Sequence, residues 1–200
     1  MKKTMSVYFF VGAFLFSGCA TVVKLPDDFS GVNGVSGTAS QVAIQVRDSR
    51  GTEKIGVIGA SPIKVKKSDM IQMAERSLTK MLSDEGISSV RVSGIDFNDQ
   101  SKVSNQARAH DGLVLFDLNS VRVSSIDVIL DPPDYVAEGL LIFYDKNGQR
   151  VFTSNVSGQK DSQAMMAKSI GNAIQNAILN SCTSIRSMSE YDRWKNSVKS

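Results

Sequence analysis

The stretch that decides the fold lies at residues 135–156, YVAEGLLIFYDKNGQRVFTSNV. Two extended runs, Tyr135–Tyr144 and Gln149–Val156, flank the tetrapeptide Asp145-Lys146-Asn147-Gly148. An Asn-Gly pair between two such runs is a strong signal for a β-hairpin. A link this short joins antiparallel strands, because a parallel neighbour needs a crossover of a dozen residues or more. The stretch therefore predicts two adjacent antiparallel strands.

The strand before this hairpin is predicted over residues 113–123. Leu113–Leu118 is a near-continuous apolar run, which is typical of a central strand. Up to Leu118 the alternating apolar positions are even-numbered, whereas Val121 and Val123 continue the alternation at odd numbers. A bulge near Asn119 would bring both sets to one face of the sheet.

Shorter extended segments precede this region. Apolar and polar residues alternate over residues 41–47, and Asp48-Ser49-Arg50-Gly51 then has the composition of a turn. Residues 55–58 resume an extended run, and the alternation over residues 63–66 predicts a short edge strand. Residues 89–93 alternate again, so at least three further strands accompany the hairpin.

Two amphipathic helices complete the pattern. Apolar residues fall on one helical face over residues 68–85, with Gly86 at the position that commonly follows a helix, and again over residues 162–187. The polar segment 99–110 supports at most a weak helix. The order β-β-α-β-β-β-β-α predicts an α+β fold, a two-layer sandwich in which both amphipathic helices pack on one face of a mostly antiparallel sheet.

The N-terminal segment carries a different pattern. Residues 2–3 are both lysine, Val7–Phe16 is apolar, and Ser17-Gly18 precedes Cys19. This segment resembles the lipobox of bacterial lipoproteins, with Phe16 at the place where Leu is usual. The resemblance implies cleavage between Gly18 and Cys19, and a diacylglycerol on the Cys19 thiol that joins the protein to a membrane.

Two other interpretations of this segment are an ordinary secretory signal and a membrane-spanning helix. About ten apolar residues are too few to span roughly 30 Å of hydrocarbon, and the A-x-A site of a plain secretory signal is absent. In lipoproteins of this type, Asp after the acylated cysteine commonly retains the protein in the inner membrane. Ala20 follows Cys19 here, so we expect Ala20 to act in sorting to the outer membrane, facing the periplasm.

The chain divides into four predicted segments. Residues 1–18 are the signal peptide, and residues 19–40 are the acylated cysteine followed by a flexible tether rich in Gly and Ser. A coil of about twenty residues has a root-mean-square reach near 25 Å. Residues 41–188 form a single α+β domain, and residues 189–200 form a charged C-terminal tail with Trp194 as its one large anchor.

Charge and motif content limit the class of function. Loss of the leader with its two lysines would lower the formal net charge from +3 to +1, which gives no electrostatic reason to expect nucleic acid as a partner. The sequence has no phosphate-binding loop, no serine-nucleophile elbow and no metal-ligand spacing of His or Cys. We therefore expect no enzymatic activity, no metal and no cofactor.

Some single residues could have a catalytic or metal-binding role, but a structural role explains each of them more simply. His110 is the only histidine and lies beside a predicted loop, which is typical of a surface or capping residue. Cys182 is the only cysteine left after acylation of Cys19, and a lone thiol at a helical position is usually a small core residue. Asp145 and Asn147 resemble a fragment of a calcium loop, but the later acid is missing and a hairpin turn explains them.

Three groups of residues could be functional or structural. The lysines at 64, 66 and 67 could meet anionic lipid headgroups or lipopolysaccharide, but lysine on an edge strand also blocks unwanted strand pairing, and we favour that structural role. Asp48 and Arg50 could form an ion pair of modest strength across the first turn. The aromatic residues of the hairpin strands, Tyr135, Phe143, Tyr144 and Phe152, are expected in the core rather than on a ligand platform.

The order of these parts resembles one family. The chain resembles the YajG-type lipoproteins of Gram-negative bacteria in the order of its parts. These parts are a lipobox, a tether, a first strand ending in Asp48-Ser49-Arg50, a helix ending at Gly86, a meander and a terminal helix. In that group an Asp-x-Arg segment also ends the first strand. The resemblance spans about residues 41–185. It implies a cellular location and a fold, but no catalytic activity.

These observations predict a non-enzymatic envelope lipoprotein that binds or assembles with an envelope protein at the periplasmic face of the outer membrane. Two alternatives stay open. An accessory lipoprotein of a lipid or lipopolysaccharide transport machine would expose an apolar groove or patch. A module that binds cell-wall glycan would expose aromatic side chains together with converging amides.

Overall fold

The computed structural model describes residues 20–23, 40–58, 61–123, 133–161 and 167–200. Its elements in chain order are β1 (Thr21–Val22), β2 (Gln41–Asp48), β3 (Lys54–Ile58), β4 (Ser61–Lys64), α1 (Lys67–Asp84), β5 (Ser88–Arg91), α2 (Gln100–Ala109), β6 (Gly112–Val123), β7 (Asp134–Asp145), β8 (Arg150–Asp161), α3 (Ala167–Thr183) and α4 (Ser189–Lys199). One turn of 3-10 helix, Ser184–Ser187, joins α3 to α4.

The larger sheet has five strands in the order β5-β2-β6-β7-β8. Strands β6, β7 and β8 form an antiparallel meander, with Phe143 opposite Phe152 beside the predicted turn. Strand β2 instead runs parallel to both β5 and β6. This pairing is possible because helices α1 and α2 lie in the links, where each supplies the length that a parallel crossover needs. The predicted α+β fold is confirmed, and its main sheet is mixed.

A bulge lies where the change of parity predicts it. The β6–β7 register shifts between Leu118, which is opposite Gly139, and Ser120, which is opposite Glu138. Asn119 is therefore the extra residue. Because of it, Val121 faces the same core as Leu118, and both side chains are buried.

The main core lies on one face of this sheet. Helices α1 and α3 cover that face, as the two amphipathic patterns predict, and bury an apolar cluster that includes Ile44, Phe116 and Phe143. The two helices also share a buried polar contact, in which Gln175 Nε2 donates to Met73 O at 2.7 Å and to Ser77 Oγ at 2.9 Å. The contact gives the Gln175 amide nitrogen two acceptors, and an unpaired buried donor would be costly.

A second, smaller core lies on the opposite face. Helix α2 packs there, with Val103 and Ala107 buried against Leu113 and Leu115 of β6. Its first turn is capped by Asp99, whose side chain accepts from Lys102 N at 3.1 Å. The polar segment 99–110 thus does form a helix, because a side-chain cap and two buried contacts offset its weak apolar pattern.

The C-terminal segment departs from the predicted charged tail. Residues Ser189–Lys199 form α4, which buries Tyr191, Trp194 and Val198. The indole Nε1 of Trp194 donates to Tyr144 O at 3.0 Å. The spacing of the three buried residues matches one helical face, so the charged residues between them occupy the solvent side. The domain therefore extends past residue 188.

The tether also begins later than expected. Residues 20–23, predicted as its start, contain strand β1, which pairs with β4 inside the domain. The pairing arises from contacts distant in sequence, since a Thr-Val pair has no periodicity of its own. The rest of the predicted tether, residues 24–39, lies outside the described residues.

Candidate functional site

The first candidate site is the end of the domain where the chain enters it. The predicted cleavage and acylation residues, Gly18 and Cys19, lie outside the described residues, and Ala20 is the first that is described. Thr21 then pairs with Ile63, and Val22 with Lys64, in a parallel register. Val23 N donates to Lys64 O at 3.1 Å, and its side chain is fully buried. The chain is thus fixed to the domain two residues after Cys19.

Strands β1, β4 and β3 form a separate three-stranded sheet, called here the small sheet. Its inner face joins the main core through Ile55 and Ile63. At Gly56 an added Cβ would lie 2.8 Å from Val123 Cγ2 at the end of β6. This close approach requires a glycine, and it presses the small sheet against the main one.

The outer face of the small sheet combines lysine and apolar side chains. Lys54 is opposite Lys64, and Val57 is opposite Pro62. Lys54 and Lys64 are exposed, and Val57 and Pro62 are partly exposed. Val22, beside Lys64, is 50% exposed and is the only large apolar side chain so exposed within the described residues. These five residues are called here the small-sheet face.

The position of β4 corrects the edge-strand prediction. This strand is paired on both sides, by β1 and by β3, so it is the central strand of the small sheet. Lysine on an edge strand blocks unwanted pairing, but Lys64 already lies between two partners. The structural role favoured from the sequence therefore does not account for Lys64.

A buried ion pair connects β2 to the segment that follows β4. Arg50 Nε donates to Asp48 Oδ1 at 2.9 Å and Nη2 donates to Asp48 Oδ2 at 2.7 Å. Both side chains are almost fully buried, at 1% exposure for Asp48 and 3% for Arg50. The same Nη2 reaches Val65 O at 3.4 Å. The predicted ion pair is present. It is bidentate and buried, whereas the prediction was a pair of modest strength.

The other face of the same strand end is held by a second polar group. Arg47 and Ser49 both donate to the carboxylate of Asp117 on β6. The Arg47 guanidinium also lies 4.4 Å from the centre of the Phe97 ring. Asp48-Ser49-Arg50 therefore makes polar contacts on both sides of the sheet, and these contacts hold the turn in place.

The second candidate site is an open recess at the Asn119 bulge. It has a volume of about 300 Å³ and is lined by Asn119, Glu138, Gly139, Asn155, Val156 and Ser157. Arg122 donates a hydrogen bond to Glu138, and this bond lowers the pKa of Glu138. The recess offers amide, hydroxyl and carboxylate groups on a solvent-facing sheet surface, so its chemistry suits polar recognition.

The remaining candidate residues have structural roles. Cys182 is fully buried, and burial raises its pKa to about 12, which keeps the thiol protonated and unreactive. His110 is the C-cap residue of α2 and is partly exposed. Asp145 Oδ1 accepts from Asn147 N and Gln149 N, each at 2.9 Å, as expected for a turn rather than a calcium loop.

The aromatic residues of the hairpin are core residues, as predicted. Tyr135, Phe143 and Tyr144 are buried, and burial raises the pKa of Tyr135 to about 12. Phe152 stacks on Phe143 with ring centres 4.4 Å apart. Within the described residues, no group of His, Cys, Asp and Glu is arranged to hold a metal ion. The helices of these parts include none long and apolar enough to cross a membrane.

Comparison of the sequence with protein-family models and with curated proteins finds no match. The fold is similar to that of a Xanthomonas campestris protein of the DUF330 family, at 11% identity over 89% of this chain and 96% of that one, with a TM-score of 0.51. Looser similarity extends to lipoprotein GNA1162 from Neisseria meningitidis (13% identity, 72% of this chain and 99% of that one, TM-score 0.40). It also extends to a minor lipoprotein from Acinetobacter baumannii (10% identity, 77% and 94%, TM-score 0.38).

The likeness to the Xanthomonas protein shows the α+β fold alone. Membership of the YajG-type group stays a prediction. Neither β1 nor the recess was predicted as part of a site. Only the change of parity at Asn119 marked the recess in the sequence, and the Thr-Val pair of β1 carries no comparable signal.

Proposed function

We propose that this chain is a lipoprotein of the outer membrane, cleaved after Gly18, acylated at Cys19 and facing the periplasm. Its domain has a binding or assembly role rather than a catalytic one, and its partner is another envelope protein. One observation carries the proposal: the segment that resembles a lipoprotein signal ends directly at β1, a strand built into the domain. An acyl chain on Cys19 would therefore be two residues from a strand that is fixed to the domain.

The open side of the meander supports a protein partner. The recess is open to solvent and four of its six lining residues are polar, whereas small-molecule sites are usually enclosed and mainly apolar. Beside it, β8 is the outermost strand of the sheet, is 12 residues long, and has exposed side chains at Thr153, Asn155 and Ser157. An outermost strand of this length can pair with a strand of another chain.

The two alternatives differ in what they require of this surface. A transport-machine accessory subunit would use an apolar groove, and within the described residues Val22 of the small-sheet face is the one large apolar side chain that is exposed. A glycan-binding module would use exposed aromatic rings, but Tyr135, Phe143 and Tyr144 are buried in the core. The converging amides of Asn119 and Asn155 are the one feature that favours glycan.

Site-specific photo-crosslinking in intact cells tests the proposed partner surface. A photo-reactive amino acid replaces Asn155 at the recess or, as a matched control, Asn196 on α4, which is also exposed. We expect discrete protein adducts from position 155 and none from position 196. Identical adducts from both positions would contradict a specific partner at the recess, and adducts to glycan strands would favour the cell-wall alternative.

A further inference from the structure

We propose that the small-sheet face lies against the anionic phospholipid surface into which the acyl chains of Cys19 insert. The inference rests on the proposed acylation, and it goes further by assigning an orientation to the domain. The flexible-tether prediction leaves the domain free to turn in any direction. The pairing of β1 with β4 instead ties the anchor to one particular face.

Only a short length of chain joins Cys19 to β1. An extended residue spans about 3.3 Å, so Cys19 lies within about 7 Å of Thr21 along the chain. Thr21 is opposite Ile63 in the parallel pair. The lipid therefore enters the bilayer within about 7 Å of Thr21, and the small sheet must lie at the membrane surface.

One side of the small sheet is available to meet the lipid. Residues opposite each other in neighbouring strands point to the same face, so Val22 shares a face with Lys64 and Lys54, and Val57 shares it with Pro62. The other face is buried, since Ile63 and Val23 have no exposed area. Only the small-sheet face, with its exposed Val22, is open to the membrane beside the anchor.

Positive charge lies on the small sheet and just beyond it. Lys54 and Lys64, together with Lys66 and Lys67 beyond the strand, are exposed. None of these four ammonium groups contacts a carboxylate within the parts of the chain that the structure describes. Three other described lysines do have such partners, Lys80 with Asp84, Lys102 with Asp99 and Lys195 with Glu85, whereas Lys146 and Lys199 bond a serine hydroxyl and a backbone carbonyl. These four lysines thus place positive charge on the small sheet and just beyond it.

Lys54 and Lys64 are directly opposite each other on neighbouring strands. Like charges directly opposite each other across two strands are destabilising, and here β4 needs no lysine to protect an edge. An anionic surface removes the repulsion, because each lysine near such a surface gains about a fivefold preference for the bound state. Apolar side chains flanked by lysines are also the composition of surfaces that rest at the membrane interface.

The test uses the full acylated protein reconstituted into vesicles of phosphatidylcholine mixed with an equal amount of phosphatidylglycerol. A fluorophore is attached at V22C or, as a control, at N196C, and the vesicles contain lipid with a spin label on its headgroup as quencher. The control lies far from the small sheet, because α4 packs near Gly112 and the small sheet packs near Val123. Eleven residue steps along β6 separate these two points by about 36 Å. Cys182 is buried and takes no label.

We expect strong quenching at position 22 and little at position 196. In K54Q/K64Q, the phosphatidylglycerol-dependent equilibrium constant for contact between this face and the bilayer, obtained from the quenching, should fall by about fivefold for each lysine removed, whereas K102Q/K146Q should retain it. Equal quenching at both positions in an acylated protein overturns the orientation and leaves the lipoprotein proposal standing. A mature protein that carries no acyl chain, as measured by mass spectrometry, overturns both.

Discussion

Gly158 of β8 lies so close to helix α3 that a Cβ on this residue would stand 2.1 Å from the amide nitrogen of Ser181. The same atom would lie 2.3 Å from Ala177 O and 2.7 Å from Asn180 C. All three are backbone atoms, so no side-chain rotation relieves the overlap. The contact fixes the distance between the sheet and the helix that closes its main core.

Gly158→Ala should therefore lower the free energy of unfolding by about 3 kcal/mol, at the upper end of the usual cost of overpacking. Either α3 or β8 must move, and both belong to the main core. Urea denaturation followed by circular dichroism measures the change. Gly51→Ala is the matched control, because no heavy atom lies within 4 Å of its added Cβ, and its effect should stay within about 1 kcal/mol. Equal effects would contradict the close packing.

Arg50→Met should destabilise the fold by about 3–5 kcal/mol, because it leaves the carboxylate of Asp48 buried without its ionic partner. The measurement is again the unfolding free energy. Arg122→Met is the control, since Arg122 and Glu138 form a pair that is largely exposed, at 50% and 39%. Its cost should be within about 1 kcal/mol. If both variants lost the same stability, burial would not be what distinguishes the Asp48–Arg50 pair.

The pKa of Glu138 should lie below the ordinary glutamate value, because Arg122 donates a hydrogen bond to its carboxylate. A carboxyl with a lowered pKa contributes stability above its unfolded value of about 4.3, and this contribution is lost as the pH falls through the folded value. Nuclear magnetic resonance titration measures the shift, and Arg122→Met should abolish it. The lowered pKa of Asp84, due first to its hydrogen bond from Lys80, should not change in that variant.

Much of this fold follows from sequence periodicity, because its long elements carry a regular pattern. The hairpin at 145–148, the bulge at Asn119 and the helices α1 and α3 each have a local signal. The parallel pairing of β2 has none, since it depends on how α1 and α2 cross over the sheet. The spacing of the buried residues of α4 was present in the sequence, but the many charges between them concealed it.

The site was harder to predict because it depends on contacts distant in sequence. Strand β1 exists only because residues 21–22 meet β4, which lies about forty positions later. The Asp48–Arg50 pair could be expected from adjacency at a turn, but not its burial, which arises from the segment around Val65. Lys64 was assigned to an edge because β1 was not foreseen.

Ala20→Asp should move the protein from the outer to the inner membrane, because acidic residues after the acylated cysteine act as a retention signal in lipoproteins of this type. Ala20 precedes β1 and takes no part in its pairing with β4, so the domain should remain folded. Density-gradient separation of the two membranes measures the location. Ala20→Ser is the control and should stay in the outer membrane. An unchanged distribution of Ala20→Asp would contradict the sorting role of this residue.

Cys19→Ser should abolish acylation and block cleavage, because the thiol is the atom that carries the diacylglycerol and the signal peptidase of lipoproteins cuts only after this modification. Metabolic labelling with a palmitate analogue should show loss of the label, and mass spectrometry should show that the 18 leader residues are retained. Cys182→Ala is the control: it removes a buried thiol and should leave both acylation and cleavage intact. Normal processing and membrane partition of Cys19→Ser would contradict the lipoprotein proposal. Loss of label with normal cleavage would instead favour an ordinary secretory signal.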